Sequence, residues 1–208
     1  MIWKTRLRSE LDNLMAITAG LGPSVTLLHG VGLNADAWGC QIDTLANYVS
    51  VTAFDMPGHG SSPGLDVPSP DLSDYVTAMK HPLKGPTVVV GHSMGAMIAL
   101  KLAFNKKVVG VVALNAVYQR SKSAHDAVRK RAKELVAASN VDPRPTLKRW
   151  FDDETSTEAE MCEQLLSHVS IEEYRAAYNV FAQENGPTAE ELVALKKPAL
   201  FMTGGREP

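Results

Sequence analysis

Little in this 208-residue sequence points away from a plain globular core. Only two cysteines occur, Cys40 and Cys162. They are too few and too far apart for a disulfide framework or a four-ligand zinc site, and both read as free thiols of a reducing compartment. No stretch approaches the roughly 18 apolar residues that a membrane span needs. The opening Met1-Ile2-Trp3-Lys4-Thr5-Arg6 has no apolar run behind its charges, so a cytoplasmic location is expected rather than export. Neither sign of charge dominates: 21 Lys and Arg stand against 23 Asp and Glu, a net charge of −2. That balance offers no basic face, so neither nucleic acid nor a membrane surface is expected as a partner. There is no internal repeat and no low-complexity segment. No motif points to a metal or an organic cofactor, and none is expected.

What is present is 45% hydrophobic and 21% charged sequence, enough apolar material for a substantial core. Its most informative stretch is Gly91-His92-Ser93-Met94-Gly95. The β-branched run Thr87-Val88-Val89-Val90 precedes it, and the helix-prone Ala96-Met97-Ile98-Ala99-Leu100 follows. Strand, sharp turn and helix with a serine at the turn is how a nucleophilic hydroxyl is lifted clear of a sheet. The N–H groups at the start of the helix are free to stabilise negative charge there. Without that context G-x-S-x-G is a weak signal, and a structural serine in a tight turn is the plain alternative. Two further stretches strengthen it. Val25-Thr26-Leu27-Leu28 runs into the glycine-rich loop His29-Gly30-Val31-Gly32, whose backbone N–H groups can face a developing oxyanion. Val51-Thr52-Ala53-Phe54-Asp55 runs into Met56-Pro57-Gly58-His59-Gly60.

Apolar runs and breakers predict strands at 2–9, 13–19, 24–29, 49–54, 86–91 and 108–114. Helices are predicted at 36–47 with Asp36 as N-cap, at 71–80 capped by Asp71 or Ser73, and at 94–105. The nearly continuous apolar strands fit a parallel sheet covered on both faces, so an α/β, mostly parallel, doubly wound sheet is expected. Residues 121–195 carry no convincing strand. Helical stretches there fall near 122–139, 144–152, 157–168, 171–184 and 188–195, and a strand resumes at 198–203. The run Arg129-Lys130-Arg131 reads as a solvated helix face, with Val128, Ala132, Leu135 and Val136 as the buried stripe.

Together the three motifs resemble the α/β-hydrolase superfamily, over about residues 10–118 and again at Pro198–Gly204. The resemblance implies a core of 1–118 and 196–208 with a helical cap inserted at 119–195. The layout is weakly similar to the enol-lactonase and non-haem haloperoxidase branch. It implies a serine hydrolase of carboxylic esters, lactones or related acyl substrates, working through an acyl-enzyme on Ser93. The N–H groups of Met94 and Val31 would form the oxyanion site. Among the cap aromatics, Trp150 and Tyr178 are candidates to line the pocket for a small-molecule acyl substrate; cap-to-core packing is the alternative for both.

The family orders its triad as serine, acid, histidine. Glu207 stands where the resemblance puts the acid. Asn115 occupies an alternative acid position, but an amide cannot stabilise an imidazolium by charge. The histidine is expected further on, past one more strand, and the sequence ends at Pro208. None of the six histidines present fits: His29 belongs to the oxyanion motif, His59 to a turn and His92 to the nucleophile turn. His81 lies in a linker, and His125 and His168 lie in the cap. The expectation is therefore a shortened hydrolase of impaired activity, or alternatively a non-catalytic small-molecule-binding protein or inactive fragment on the same fold. Strand 198–203 would be an open edge, through which the chain could form a homo-oligomer.

Overall fold

The computed structural model describes residues 6–205. Among the described residues seven strands form one sheet in the order β1-β2-β4-β3-β5-β6-β7. They are β1 (Ser9–Leu11), β2 (Leu14–Ala19), β3 (Ser24–Leu28), β4 (Ser50–Phe54), β5 (Thr87–His92), β6 (Val108–Leu114) and β7 (Ala199–Met202). β1-β2 and β2-β4 pair antiparallel, and the five strands from β4 to β7 in that order run parallel. Among the described residues eight α-helices alternate with them or follow: α1 (Gly39–Leu45), α2 (Leu72–Lys80), α3 (Met94–Leu102), α4 (Lys122–Glu134), α5 (Arg144–Trp150), α6 (Thr157–His168), α7 (Ile171–Gln183) and α8 (Ala189–Ala194). This is the mostly parallel α/β sheet that the apolar runs predict.

Successive strand residues face opposite sides of a sheet, and the core divides accordingly. Leu28, Phe54 and Ala16 belong to the larger cluster, packed with α2, α3 and α7. Their neighbours Leu27, Ala53 and Ile17 belong to a smaller one with Trp38 and Ile42. The chain leaves β3 for β4 on one side and returns to β5 on the other. The order therefore reverses between β3 and β5, where the carboxyl ends of adjacent parallel strands leave a crevice.

Between β6 and β7 the described residues form α4 to α8 and no strand. This segment leans on the loops at the carboxyl ends of the strands. Leu166 of α6 and Tyr174 of α7 fill the space that a Cβ on Gly32 would occupy. The Glu173 carboxylate does the same beside Gly58 and Gly64. Arg175 donates to the carbonyls of Leu135 and Ala138, both at 3.1 Å, and so ties α7 to the end of α4. No helix among the described residues is long and apolar enough to cross a membrane.

Three sequence expectations need correction. The first strand is Ser9–Leu11, not 2–9; Met1–Thr5 lie outside the described residues. Arg6 and Arg8 are instead held by side-chain bonds to Asp43, Asp36 and Asp55. A tight turn at Asp12 and Asn13, with φ of 50° and 65°, joins β1 to β2. The helix read at 36–47 is a 3₁₀ turn over Ala35–Trp38 followed by α1. Its cap is Asn34, whose Oδ1 accepts from the Asp36 N–H at 2.9 Å; Asp36 spends its carboxylate on Arg8 instead. The helix read at 122–139 ends at Glu134 and gives way to a 3₁₀ turn at Leu135–Ala137. The cap at Asp71 is present as a reciprocal pair with Asp74.

Candidate active site

Ser93 lies between β5 and α3 as the N-cap of α3, with φ 55° and ψ −117°. A side chain rarely adopts that backbone, and holding it there costs about 1–3 kcal/mol. The surroundings over-determine it. The Ser93 N–H donates to the Leu114 carbonyl at 2.9 Å. A Cβ on Gly91 would lie 2.0 Å from the Gly95 carbonyl oxygen, and one on Gly95 would lie 2.4 Å from that of Leu28. Only glycine lets helix, turn and neighbouring strand approach so closely. The result is a half-buried serine whose hydroxyl has no hydrogen-bond partner among the described residues.

The loop after β3 lies directly beside it, because Leu28 and Gly91 are register partners at adjacent strand ends. A Cβ on Gly30 would sit 3.3 Å from the Ser93 Cβ and 3.2 Å from His92 Nδ1. Val31 is buried, and its N–H makes no hydrogen bond among the described residues. Met94 is the first residue of α3, so its N–H has no acceptor inside the helix. Both amides thus belong to segments that meet at Ser93.

Two buried groups hold this loop in shape. His29 Nε2 accepts the Met56 N–H at 2.9 Å, which leaves Nδ1 as the donor to the Gly30 carbonyl at 2.7 Å. The tautomer is therefore fixed, and the ring pins the loop to the end of β4. Burial pushes the His29 imidazole well below its usual pKa, and His59, edge-on at 5.0 Å between centroids, pushes the same way. Burial also lowers His59 and His92. The second group is Asp55, which is fully buried. Its carboxylate accepts from Arg8 Nε at 2.6 Å and from the backbone N–H groups of Ala35 at 2.8 Å and Ser61 at 2.9 Å. Ala35 follows the Gly30–Leu33 turn, so Asp55 anchors its far end. The sequence gives no sign of this role, since Arg8 and Ala35 are 47 and 20 residues distant.

The remaining sequence candidates fall as follows. Tyr178 is buried on α7, its ring 5.7 Å from Tyr174 and 5.9 Å from Phe181. Trp150 ends α5 and is 44% exposed. Glu207 lies outside the described residues. Asn115 takes φ 49° at the end of β6, and its Oδ1 accepts the Gly204 N–H at 3.3 Å, which stitches the end of β7 to β6. His168 Nδ1 bonds the Gln164 carbonyl on its own helix. No histidine among the described residues bonds the Ser93 hydroxyl. Cys162 is buried, and burial pushes its thiol up to about 11, which disfavours the thiolate. Among the described residues no three potential metal ligands converge. An open depression of about 530 Å³, bordered by Asp142, Arg144 and Glu163, touches none of Ser93, Val31 and Met94.

Comparison with known proteins gives the family and the fold. Residues 27–205 match the model of the Alpha/beta hydrolase family. The chain is 34% identical to the (E)-2-((N-methylformamido)methylene)succinate hydrolase of Acinetobacter baylyi, over 100% of this chain and 81% of that protein. Its fold is similar to that of a hydrolase from Pseudomonas aeruginosa, with TM-score 0.81 and 18% identity over 95% of this chain and 80% of that one. The enol-lactonase of Burkholderia xenovorans follows with TM-score 0.76 and 19% identity, over 96% and 81% of the two chains. With a glycine-flanked serine at the β5–α3 turn, a glycine loop beside it and a family match across most of its length, the chain belongs to the Alpha/beta hydrolase family.

Proposed function

We propose that this hydrolase works by acyl transfer to Ser93. The Ser93 oxygen attacks the acyl carbon and passes its proton to a general base. The carbonyl oxygen takes up negative charge and accepts hydrogen bonds from the Val31 and Met94 N–H groups. Collapse expels the protonated leaving group, and water then cleaves the acyl-serine ester to a carboxylic acid. Each such N–H contributes about 2.7–4 kcal/mol to transition-state stabilisation where it has been measured. The substrates are carboxylic esters, lactones or related acyl compounds. The Acinetobacter baylyi relative, named for a substituted succinate, adds that class to the reading.

The observation that carries the proposal is the backbone of Ser93. A non-glycine residue at φ 55°, its hydroxyl unbonded and its Cβ beside Gly30, is maintained at a cost that a structural serine would not need. A fluorophosphonate tests it. Intact mass and peptide mapping are expected to show one adduct, on Ser93, and none in Ser93→Ala. Because no described histidine bonds the hydroxyl, the adduct is expected to form several orders of magnitude more slowly than in an intact triad enzyme. Adducts elsewhere, or none after prolonged incubation, would refute the reading. The same lack of a bonded base favours a second reading, a small-molecule-binding protein on this fold. It predicts saturable ligand binding with no acyl adduct and no turnover.

A further inference from the structure

We propose that His29 is a positioning residue for the reaction, and that its Nδ1–H sets both the direction and the donor strength of the Val31 N–H. The proposal rests on the acyl-transfer reading and deepens it. The ring makes two hydrogen bonds with different consequences. Nε2 accepts the Met56 N–H at 2.9 Å, which holds the loop to the end of β4. Nδ1 donates to the Gly30 carbonyl at 2.7 Å. That carbonyl belongs to the same peptide group as the Val31 N–H. The first bond is a structural tie. The second acts on the group that would meet the substrate oxygen.

A peptide group is planar and trans, so its N–H points opposite to its C=O. With the Gly30 oxygen bonded to the imidazole, the Val31 N–H is turned away from the ring. It has no acceptor among the described residues. Gly30 has no Cβ to hold this peptide at one tilt. A Cβ there would crowd His92 Nδ1 at 3.2 Å and the Ser93 Cβ at 3.3 Å. The imidazole supplies the restraint that a side chain on Gly30 would otherwise give. The ring itself is 1% exposed and packed edge-on against His59, so it holds its place.

The same bond strengthens the donor. A hydrogen bond accepted at a carbonyl oxygen draws electron density through the peptide resonance and leaves the N–H more positive, and such bonds reinforce one another in a dry interior. The Gly30 oxygen accepts a second one, from the Leu33 N–H at 3.2 Å. The Met56 N–H selects the tautomer that can do this: it needs an unprotonated Nε2, which leaves the proton on Nδ1. Burial holds the imidazole well below its usual pKa and so keeps it neutral.

Two amide substitutions separate the bonds. His29→Asn places an N–H donor where Nδ1 stands and leaves the Met56 N–H unpaired. His29→Gln places an acceptor near Nε2 and leaves the Gly30 carbonyl without the ring's donor. Each loses one buried bond, so urea unfolding is expected to show both destabilised alike. Fluorophosphonate labelling of Ser93 is expected to part them. The limiting rate in His29→Gln should fall about 10- to 100-fold below that in His29→Asn. The half-saturating concentration should not change, because the N–H serves charge that develops in the transition state. The 15N resonance of the Val31 amide, which reports bonding at its own carbonyl, is expected to move in His29→Gln and to stay in His29→Asn. Equal limiting rates, a slower His29→Asn, or a Val31 resonance unmoved in His29→Gln overturns the proposal. If His29→Gln does not fold, the ring 15N shifts of the unaltered chain and the rate in His29→Asn decide. A proton on Nδ1 with a rate within about 3-fold supports the proposal; a proton on Nε2, or a rate about 10-fold lower, overturns it. An unaltered chain that forms no adduct overturns acyl transfer, and the Val31 resonance still decides whether His29 sets this amide. An adduct formed equally fast in both variants overturns the role of His29 and leaves acyl transfer standing.

Discussion

Replacing Asp55 by Asn changes one atom and should remove much of the chain's stability. The carboxylate is buried to 0% exposure. It accepts four hydrogen bonds: from Arg8 Nε at 2.6 Å and Nη2 at 3.3 Å, from Ala35 N–H at 2.8 Å and from Ser61 N–H at 2.9 Å. An amide has one acceptor oxygen. Whichever way it turns, its NH₂ faces a backbone N–H and an arginine N–H, donor against donor. Arg8, itself 9% exposed, keeps only Asp36 as a charged partner. Breaking one side of a buried pair costs about 3–5 kcal/mol. For a chain of this size each kcal/mol lowers the melting temperature by roughly 2–4 °C, so a drop of about 6–20 °C is expected. Urea unfolding at pH 7 and 25 °C measures the free energy. Arg8→Met and the double variant complete a cycle, in which the double should cost clearly less than the sum because both substitutions break one network. A loss under about 1 kcal/mol for Asp55→Asn, or additive behaviour in the cycle, would refute this reasoning.

Three further outcomes follow from the same structure. At Ser93 the usual preference for alanine over glycine should reverse: relief of the positive φ makes Ser93→Gly more stable than Ser93→Ala by about 1 kcal/mol in urea unfolding, and the opposite order would contradict a strained turn. His29 and His59 are buried with lowered pKa values, so the unfolded chain takes up more protons than the folded one once pH falls below the unfolded value of about 6.5. Stability is then complete above that pH and falls below it by up to about 1.4 kcal/mol per pH unit for each imidazole; a urea midpoint flat from pH 7 to pH 5 would exclude the effect. Leu200, Phe201 and Met202 of β7 are each about half exposed beside a strand edge that is unpaired among the described residues, so sedimentation should show concentration-dependent association that Phe201→Lys reduces; a monomer at all concentrations would argue against pairing through this edge.

The parts legible in the sequence are those governed by local pattern. The runs at Val25–Leu28, Val51–Phe54 and Val108–Leu114 are mostly apolar because both faces of those strands are largely covered, and each is a strand of the sheet. Ser93 was legible because the glycines on either side of it are needed for close approach, as the Gly91 and Gly95 geometry shows. What stayed hidden depends on partners distant in sequence. Asp55 looks like an ordinary residue before a Pro-Gly turn until β1 and the Ala35 turn fold against it. Asp36 reads as a cap because nothing local reveals that Arg8 claims its carboxylate. Arg131 reads as solvated because its helix repeat does not show that α7 lies alongside, where its Nε donates to the Tyr178 hydroxyl at 2.9 Å.

The central claim is that charge developing on a substrate oxygen at Ser93 is met by the main-chain amides of Val31 and Met94. A crystal structure of the chain after reaction with a fluorophosphonate tests it most directly. The account predicts phosphorus bonded to the Ser93 oxygen, with one phosphonyl oxygen about 2.7–3.1 Å from both nitrogens. A phosphonyl oxygen turned to solvent, or bonded to other donors while both amides stay empty, would contradict it.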